Sequence, residues 1–339
     1  MTLNHRILLA ARPQGAATLD SFRLEEVPLP ELRDGEILLK TLWLSLDPYM
    51  RGRMSDAPSY AAPVAIGAVM TGGTVARVER SLNANYRVGE LVLAGNGWQE
   101  FAVSNGSGLS KLPPDMPRPS YALGVLGMPG ITAYIGLLEV GKPQAGETVV
   151  VAAATGAVGS VVGQLAKIAG CRVVGIAGGA AKCDWAVHEL GFDACVDHRS
   201  AQFEASLAAA CPQGIDVYFE NVGGRVFRAV VPLLNLHARI ALCGLISAYN
   251  EKPSATDADF AQAFMRTVLV KRIMMKGFIF SDTAEARRAE FRTALGGWIR
   301  DGKIKYREDI VHGLENAPAA FLGLLEGRNF GKVVVEAGS

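Results

Sequence analysis

Two different hydrophobic patterns divide this 339-residue chain. Up to about residue 120, apolar positions come in short alternating runs broken by glycine and proline: EILLKTLWLSLD, GAVMTGGTVARVE, VGELVLAG and WQEFAV. Alternation with period two, cut at short intervals by turn residues, predicts a compact, twisted β-domain. KLPPDMPRPSYALG, residues 111–124, is the first strong proline cluster and reads as a linker. Beyond it, strand-length apolar runs alternate with helical spacing. TVVVAAA precedes a helix over 156–169, and CRVVGIAG precedes one over 181–190. DACVDH precedes 201–210, and GIDVYFENVG precedes 226–234. ARIALCGLIS follows, and KRIMMKGFIF offers a further strand. This alternation predicts an α/β fold: parallel strands with crossover helices in a doubly wound sheet.

One stretch tests that reading. Between Glu147 and Lys167 the chain carries no charge, and an apolar run of that length is a candidate membrane span. It is built from Val, Ala and Gly, however, with no aromatic belt and no basic flank. It also changes from strand-length Val/Ala to helical spacing at Val158, Val161, Val162, Leu165, Ala166 and Ala169. Strand, tight glycine turn and helix describe it better than one continuous span.

Composition narrows the function classes. The chain is 50% hydrophobic and 20% charged with net charge +1, an ordinary globular balance with enough residues for two cores. Near-neutral charge gives no general attraction to nucleic acid or to an anionic membrane. The apolar run in MTLNHRILLAARPQG is too short for a signal peptide, so the cytoplasm is expected. Five cysteines without a CxxC argue against a disulfide framework or zinc ribbon. The five histidines form no HxxxH or HExxH.

The candidate chemistry sits at the uncharged run. Ala154-x-Gly156-x-x-Gly159 departs from G-x-G-x-x-G at its first position, where Ala requires a negative φ. Gly156 lets the backbone approach a pyrophosphate. Gly159 lets the helix pack closely on the strand, and the helix N-terminus aims free N–H groups at the anion. The bland alternative is a glycine-lined helix–sheet contact with no ligand. An NAD site places a carboxylate at the end of the second strand. Here that region is GIAGGAAKCDW, with Gly178 and Lys182 but no carboxylate until Asp184 on the helix. A small turn followed by lysine suits a 2′-phosphate, so NADPH/NADP is the expected cofactor. Otherwise Lys182 is a solvated residue at a helix start.

LSLDPYMRGRM, LGMPGITAYIGL, AAATGAVGSVVGQLAKIAGCRVVGIAGG, GIDVYFENVGG, CGLISAYN and LLEGRNFGKVVV together resemble the medium-chain dehydrogenase/reductase superfamily, in its zinc-independent leukotriene/prostaglandin reductase branch. MRGRMSDAPSY, AGGAAKC, CPQGIDVYFENVGG and GLENAP read like the bacterial NADPH-dependent curcumin reductases. The resemblance implies a GroES-like catalytic domain over 1–123, a Rossmann NADP-binding domain over 124–298, and a segment 299–339 returning to the first domain. It implies an active site between domains and a homodimer. By the same resemblance the cofactor is held by Asn221, by Cys243, Gly244, Ile246 and Ser247, by Phe278 and Ile279, and by Asn329. Met128 and Thr132 lie along it, the turn Ala154, Gly156, Ala157, Val158 and Gly159 cradles it, and Tyr49 forms a floor. His198, where the mammalian branch has tyrosine, could reach a 2′-phosphate as donor or cation.

No cysteine precedes Cys171, and AIGAVMTGG stands where zinc alcohol dehydrogenases carry Gly-His-Glu. Without a Lewis acid the expected chemistry is conjugate reduction, in which the C=C bond of an α,β-unsaturated carbonyl compound is reduced and negative charge collects on the carbonyl oxygen. A hydrogen-bond donor there lowers the barrier. Candidates are Tyr249 and Tyr60, with the ribose hydroxyl or water as alternatives, and Tyr249 could instead merely line the cleft. Quinone reduction, or an NADPH-binding sensor without turnover, are the competing readings.

Overall fold

The computed structural model describes residues 3–116, 118–250 and 255–338. Two compact units emerge. Met1–Gly124 with Glu308–Ser339 form one, and Val125–Arg307 the other. Residues 299–307 therefore cluster with the second unit, and the return to the first starts at Glu308 rather than at 299.

The first unit is the expected β-domain. Strands β1 (Leu3–Leu9) and β2 (Phe22–Pro28) form an antiparallel pair. β3 (Ile37–Ser45), β4 (Thr74–Ser81), β5 (Leu91–Ala94), β6 (Phe101–Ser104) and β7 (Ser110–Lys111) belong to a seven-stranded sheet. The returning strands Glu308–His312 and Lys332–Glu336 complete it, the latter pairing β3. Between β3 and β4 lies the short helix α1 (Tyr49–Arg53). One core packs Trp98 between Phe22, stacked at 5.5 Å, and Phe321, edge-on at 5.6 Å. Each buried aromatic of this kind contributes a few kcal/mol (roughly 1.5–3) from apolar burial.

A fully buried lysine ties the returning segment to α1's entry. Lys332 Nζ donates to the carbonyls of Leu46 and Val333 at 2.7 Å each and pairs with Asp47 at 3.3 Å. Asp47 also accepts from Ser45 Oγ. Burial pulls the lysine below its usual range, with Asp47 opposing.

The second unit is doubly wound. Helix α2 (Met128–Tyr134) leads into β8 (Thr148–Ala152), α3 (Gly159–Ile168), β9 (Arg172–Ala177), α4 (Ala180–His188), β10 (Ala194–Asp197), α5 (Phe203–Ala210), β11 (Ile215–Glu220), α6 (Gly224–Val230), β12 (Leu234–Leu242), α7 (Ala255–Lys271), β13 (Met274–Gly277) and α8 (Glu285–Arg300). The strands are all parallel in the order β10-β9-β8-β11-β12-β13. Every residue of β8 is buried, as a central strand covered on both faces requires. The order reverses between β8 and β11, and ligands bind such sheets at that switch point, beyond the strands' C-terminal ends.

The uncharged run thus folds as strand, turn and helix. Helix α3 starts at Gly159, three residues later than its periodicity predicts, because 153–158 form the turn. Among the described residues no helix is long and apolar enough to cross a membrane.

Candidate active site

Val-rich β8 ends at Ala152, and the chain must then turn sharply into α3. Ala153 bears the strain of the turn, at φ 51 in the left-handed region, which costs a non-glycine residue roughly 1 kcal/mol. The sequence points to Ala154 as the atypical position. Its strained neighbour is Ala153, while Ala154 is buried under β9 with its N–H donating to Ile176 O at 3.0 Å. Gly156 N donates to Ala153 O at 2.9 Å, closing the turn. Gly159 is where helix meets strand: a Cβ there would lie 2.3 Å from Ala153 O and 2.9 Å from Ala153 C. At Gly156 an added Cβ would meet only Ala153 O, at 3.2 Å, leaving its other side open. Half-buried Ala157 and Val158 bring the first turn of α3 to this opening. Ser160 and Val161 donate to Gly156 O and Val158 O at 3.1 and 3.0 Å, and the positive dipole end of the helix ahead of them suits a phosphate.

The end of β11 is braced against the same opening. Asn221 Nδ2 donates to Ala152 O at 2.8 Å, joining the tips of β11 and β8 across the switch point. The fully buried Glu220 accepts on Oε1 from the N–H of Val222 (2.6 Å) and Gly223 (2.9 Å). Burial raises its carboxyl above the ordinary range, and those N–H groups oppose the shift. Cys243 and Gly244 donate to Glu220 O, Ile246 to Asn221 O and Ser247 to Val222 O. Ser247 Oγ donates to the same Val222 carbonyl at 2.6 Å. Burial, then Glu220, pushes the Cys243 thiol up to about 12, so it is an inert wall. Tyr249 is half-buried, with its hydroxyl 3.4 Å from a Cβ built on Gly244. Phe278 packs edge-on to Phe219 at 6.2 Å and over Gly136, where a Cβ would lie 2.3 Å from its ring; Ile279 follows it half-buried. Met128 opens α2, and Thr132 Oγ1 on that helix is buried without a hydrogen-bond partner in the protein.

At the end of β9 the residues form a cation cluster. Gly178 leaves room for two side chains: a Cβ on it would lie 3.0 Å from both His198 Nε2 and Arg199 Nε. Burial first, then Arg199, Arg225 and Lys182, draws His198 below its ordinary pKa, with Asp197 opposing. Lys182, His198 and Arg199 therefore converge on one turn. Arg199 lies beside His198 in DHRS; its adjacency in sequence was the available signal, but only the strand end aims it. Arg225 is already engaged by Glu204, at 2.9 and 3.0 Å. The turn is not free of carboxylate, contrary to expectation. Asp197 Oδ1 accepts from the N–H of Gly179 and Arg199 at 2.9 Å each, so it orders the turn.

Tyr49, Tyr60 and Asn329 belong to the first unit. Burial, then Asp47 and Tyr60, pushes the Tyr49 phenol well above its ordinary value, so it stays protonated. Tyr60 is 64% exposed. Asn329 Nδ2 donates to Gly331 O at 2.8 Å. The chain beyond Asn250, Glu251–Ser254, lies outside the described residues.

This geometry fits a dinucleotide phosphate cradle, and comparison with known proteins decides the family. A model described as the N-terminal domain of oxidoreductase matches residues 5–112, and one described as zinc-binding dehydrogenase matches 157–296. The NADPH-dependent curcumin reductase of Escherichia coli is 55% identical over 98% of this chain and 96% of its own. The chain belongs to the medium-chain dehydrogenase/reductase superfamily, in its prostaglandin and curcumin reductase branch. Prostaglandin reductase 1 of Bos taurus is 41% identical over 95% of this chain and 96% of its own. CurA from Vibrio vulnificus in complex with NADPH is 56% identical, with a TM-score of 0.95 over 99% of both chains. The zinc in one family description finds no counterpart: among the described residues no group of three or more His, Cys, Asp or Glu could hold a metal ion.

Proposed function

We propose that this reductase uses NADPH to reduce the C=C bond of α,β-unsaturated carbonyl compounds, curcumin-like enones and 2-alkenals among them. The observation that carries the reading is the phosphate turn with a second, cationic pocket at the end of β9, in a chain 55% identical to a curcumin reductase. The orphaned Thr132 Oγ1 and the open side of Gly156 fit a bound dinucleotide. Ala154–Gly159 would hold its pyrophosphate, Lys182, His198 and Arg199 its 2′-phosphate, and Thr132, Asn221, Cys243–Ser247, Phe278 and Ile279 the nicotinamide end. Tyr49, Met128 and Asn329 are assigned to the same cofactor by family likeness.

Bound NADPH supplies hydride to the β-carbon of the enone. The protein orients the alkene, excludes water, and places a donor at the carbonyl oxygen, where charge develops. Tyr249 is assigned as that donor. Its half-buried phenol carries an O–H and offers a flat apolar face. Tyr60, at 64% exposure, is the weaker candidate. Tyr249→Phe lowers kcat about 100-fold with the KM for NADPH unchanged, the worth of one hydrogen bond made in the transition state. Unchanged kcat removes it from the mechanism.

A homodimer accompanies this reading. Strand β13 is the open edge of its sheet and exposed throughout, and Leu269 and Val270 of α7 are 77% and 63% exposed. An unprotected apolar edge is a template for a second copy of the same strand. The chain is placed in the cytoplasm, where NADPH and reduced thiols belong.

The test is loss of NADPH absorbance with an enone, with a quinone and without acceptor. Oxidation with the enone, insensitive to chelator and faster than with NADH, is expected. Binding without turnover on any acceptor makes the chain a sensor, and turnover on the quinone alone makes it a quinone reductase.

A further inference from the structure

A carboxylate stands fully buried at the tip of β11, a place where glutamate is rare without a partner. The partners of Glu220 are backbone N–H groups rather than a cation. One oxygen, Oε1, accepts from Val222 at 2.6 Å and from Gly223 at 2.9 Å, so the side chain bends forward over its own turn. The other oxygen, Oε2, is buried with no hydrogen-bond partner among the described residues. An unmatched buried oxygen is costly, and an apolar residue would end the strand without that cost. What the side chain supplies in return is one acceptor for two consecutive N–H groups.

The turn held in this way carries a second segment. The Glu220 carbonyl accepts from the N–H of Cys243 at 2.9 Å and Gly244 at 3.2 Å, and Asn221 O accepts from Ile246 at 3.2 Å. Val222 O accepts from Ser247 twice, from N at 3.0 Å and from Oγ at 2.6 Å. Packing between the two is close. A Cβ on Gly223 would lie 3.0 Å from Leu245 Cδ2, and one on Gly224 2.9 Å from Ser247 Oγ. Asn221 Nδ2 meanwhile crosses to Ala152 O at 2.8 Å. Residues 243–247 thus take their position from 220–222, and 222–223 take theirs from the Glu220 carboxylate.

We propose that Glu220 is a positioning residue for the reduction: by clamping the N–H groups of Val222 and Gly223 it fixes Asn221 and the 243–247 segment in place. The proposal rests on the reading of those residues as the nicotinamide end. Glu220 acts by reach rather than by charge. Glutamine at this position has an oxygen at the same distance from the main chain, whereas aspartate keeps the charge and is one methylene shorter. A carboxylate drawn back by about 1.5 Å cannot hold both bonds within about 3.2 Å, so the turn and residues 243–247 shift together by about 1 Å. The effect is confined to that end of the site. The cation cluster stands at the ends of β9 and β10, and β8 separates β9 from β11 by about 10 Å at ordinary strand spacing. Arg225 joins α6 to the carbonyls of His198 and Ser200 at 3.3 Å each, through a half-exposed side chain that follows a shift of that size.

The test compares Glu220→Asp and Glu220→Gln with the wild type. The readouts are kcat with an enone acceptor, Kd for NADPH, and Kd for adenosine 2′,5′-bisphosphate, which carries the 2′-phosphate end of the cofactor without the nicotinamide. Glu220→Asp is expected to lower kcat about 100-fold, as a misplacement of about 1 Å does. It raises Kd for NADPH about tenfold, the worth of one hydrogen bond, and leaves Kd for the bisphosphate within about twofold. Glu220→Gln stays within about threefold of wild type in all of them. The reverse pattern, glutamine impaired and aspartate normal, overturns the proposal by making charge the operative property. Equal losses in both variants overturn it, as do normal values in both. Loss of bisphosphate affinity in Glu220→Asp also overturns it, because the damage then extends through the whole unit. A wild type that reduces no acceptor sinks the enone reading, while the Kd contrast, which needs no turnover, still decides the placement. A wild type that does not bind the bisphosphate sinks the 2′-phosphate reading, and the NADPH affinities of the aspartate and glutamine variants still decide between reach and charge.

Discussion

Adding one methyl group to Gly159 tests the joint between strand and phosphate turn. The new Cβ of Gly159→Ala would sit 2.3 Å from Ala153 O, where ordinary contact begins near 3.4 Å, and its other close neighbours are backbone as well. Backbone cannot swing aside as a side-chain tip does, so the start of α3 must retreat by about 1 Å. That displacement has two separable effects. Overpacking of this kind costs about 1–3 kcal/mol, which for a unit of this size lowers Tm by roughly 2–4 °C per kcal/mol. A 1 Å shift also carries a helix-start N–H out of the 2.7–3.2 Å hydrogen-bonding window. Losing one such bond to phosphate, worth about 1.5–3 kcal/mol, raises Kd for NADPH roughly 10- to 100-fold. Gly156→Ala is the control. Its Cβ meets only Ala153 O, at 3.2 Å, and points into the open side of the turn. It should weaken NADPH comparably while leaving Tm within about 2 °C. Thermal melts and NADPH titrations on both variants decide the matter. Wild-type Tm and Kd in Gly159→Ala would falsify the close-packed joint, and normal affinity in Gly156→Ala would move the pyrophosphate elsewhere.

Lys182→Ala and Arg199→Ala should each raise KM for NADPH about tenfold and leave NADH kinetics unchanged, since each removes one charge-assisted contact; an equal effect on both coenzymes refutes the assignment. His198 has a folded pKa below that of the unfolded chain, so on acidification through 6.5 the unfolded state takes up the proton first. Apo stability therefore falls in that window and is recovered as pH rises, and His198→Asn should flatten that part of the urea-midpoint profile against pH. Lys332→Met leaves the buried Asp47 without its cation and should cost about 3–5 kcal/mol in urea unfolding, of which the double variant Lys332→Met/Asp47→Leu recovers most.

Family membership and strand–helix alternation were legible because they are local: the Val-rich run, the glycine spacing and the helical periodicity after it lie within a few dozen consecutive residues. The absence of a carboxylate between Gly178 and Lys182 pointed to NADPH for the same reason. Other features have no local signature. Arg199 joins Lys182 only because β10 lies beside β9 in the sheet, and Asp197 orders that turn from a different strand. Lys332 looks like a surface lysine in GRNFGK, yet it is buried beneath Asp47, 285 residues away, because the returning strand pairs with β3. Periodicity and spacing report what one segment prefers. Which segments become neighbours is set by sheet order and by burial of apolar surface over the whole chain, and that is where the charges of this site acquire their partners.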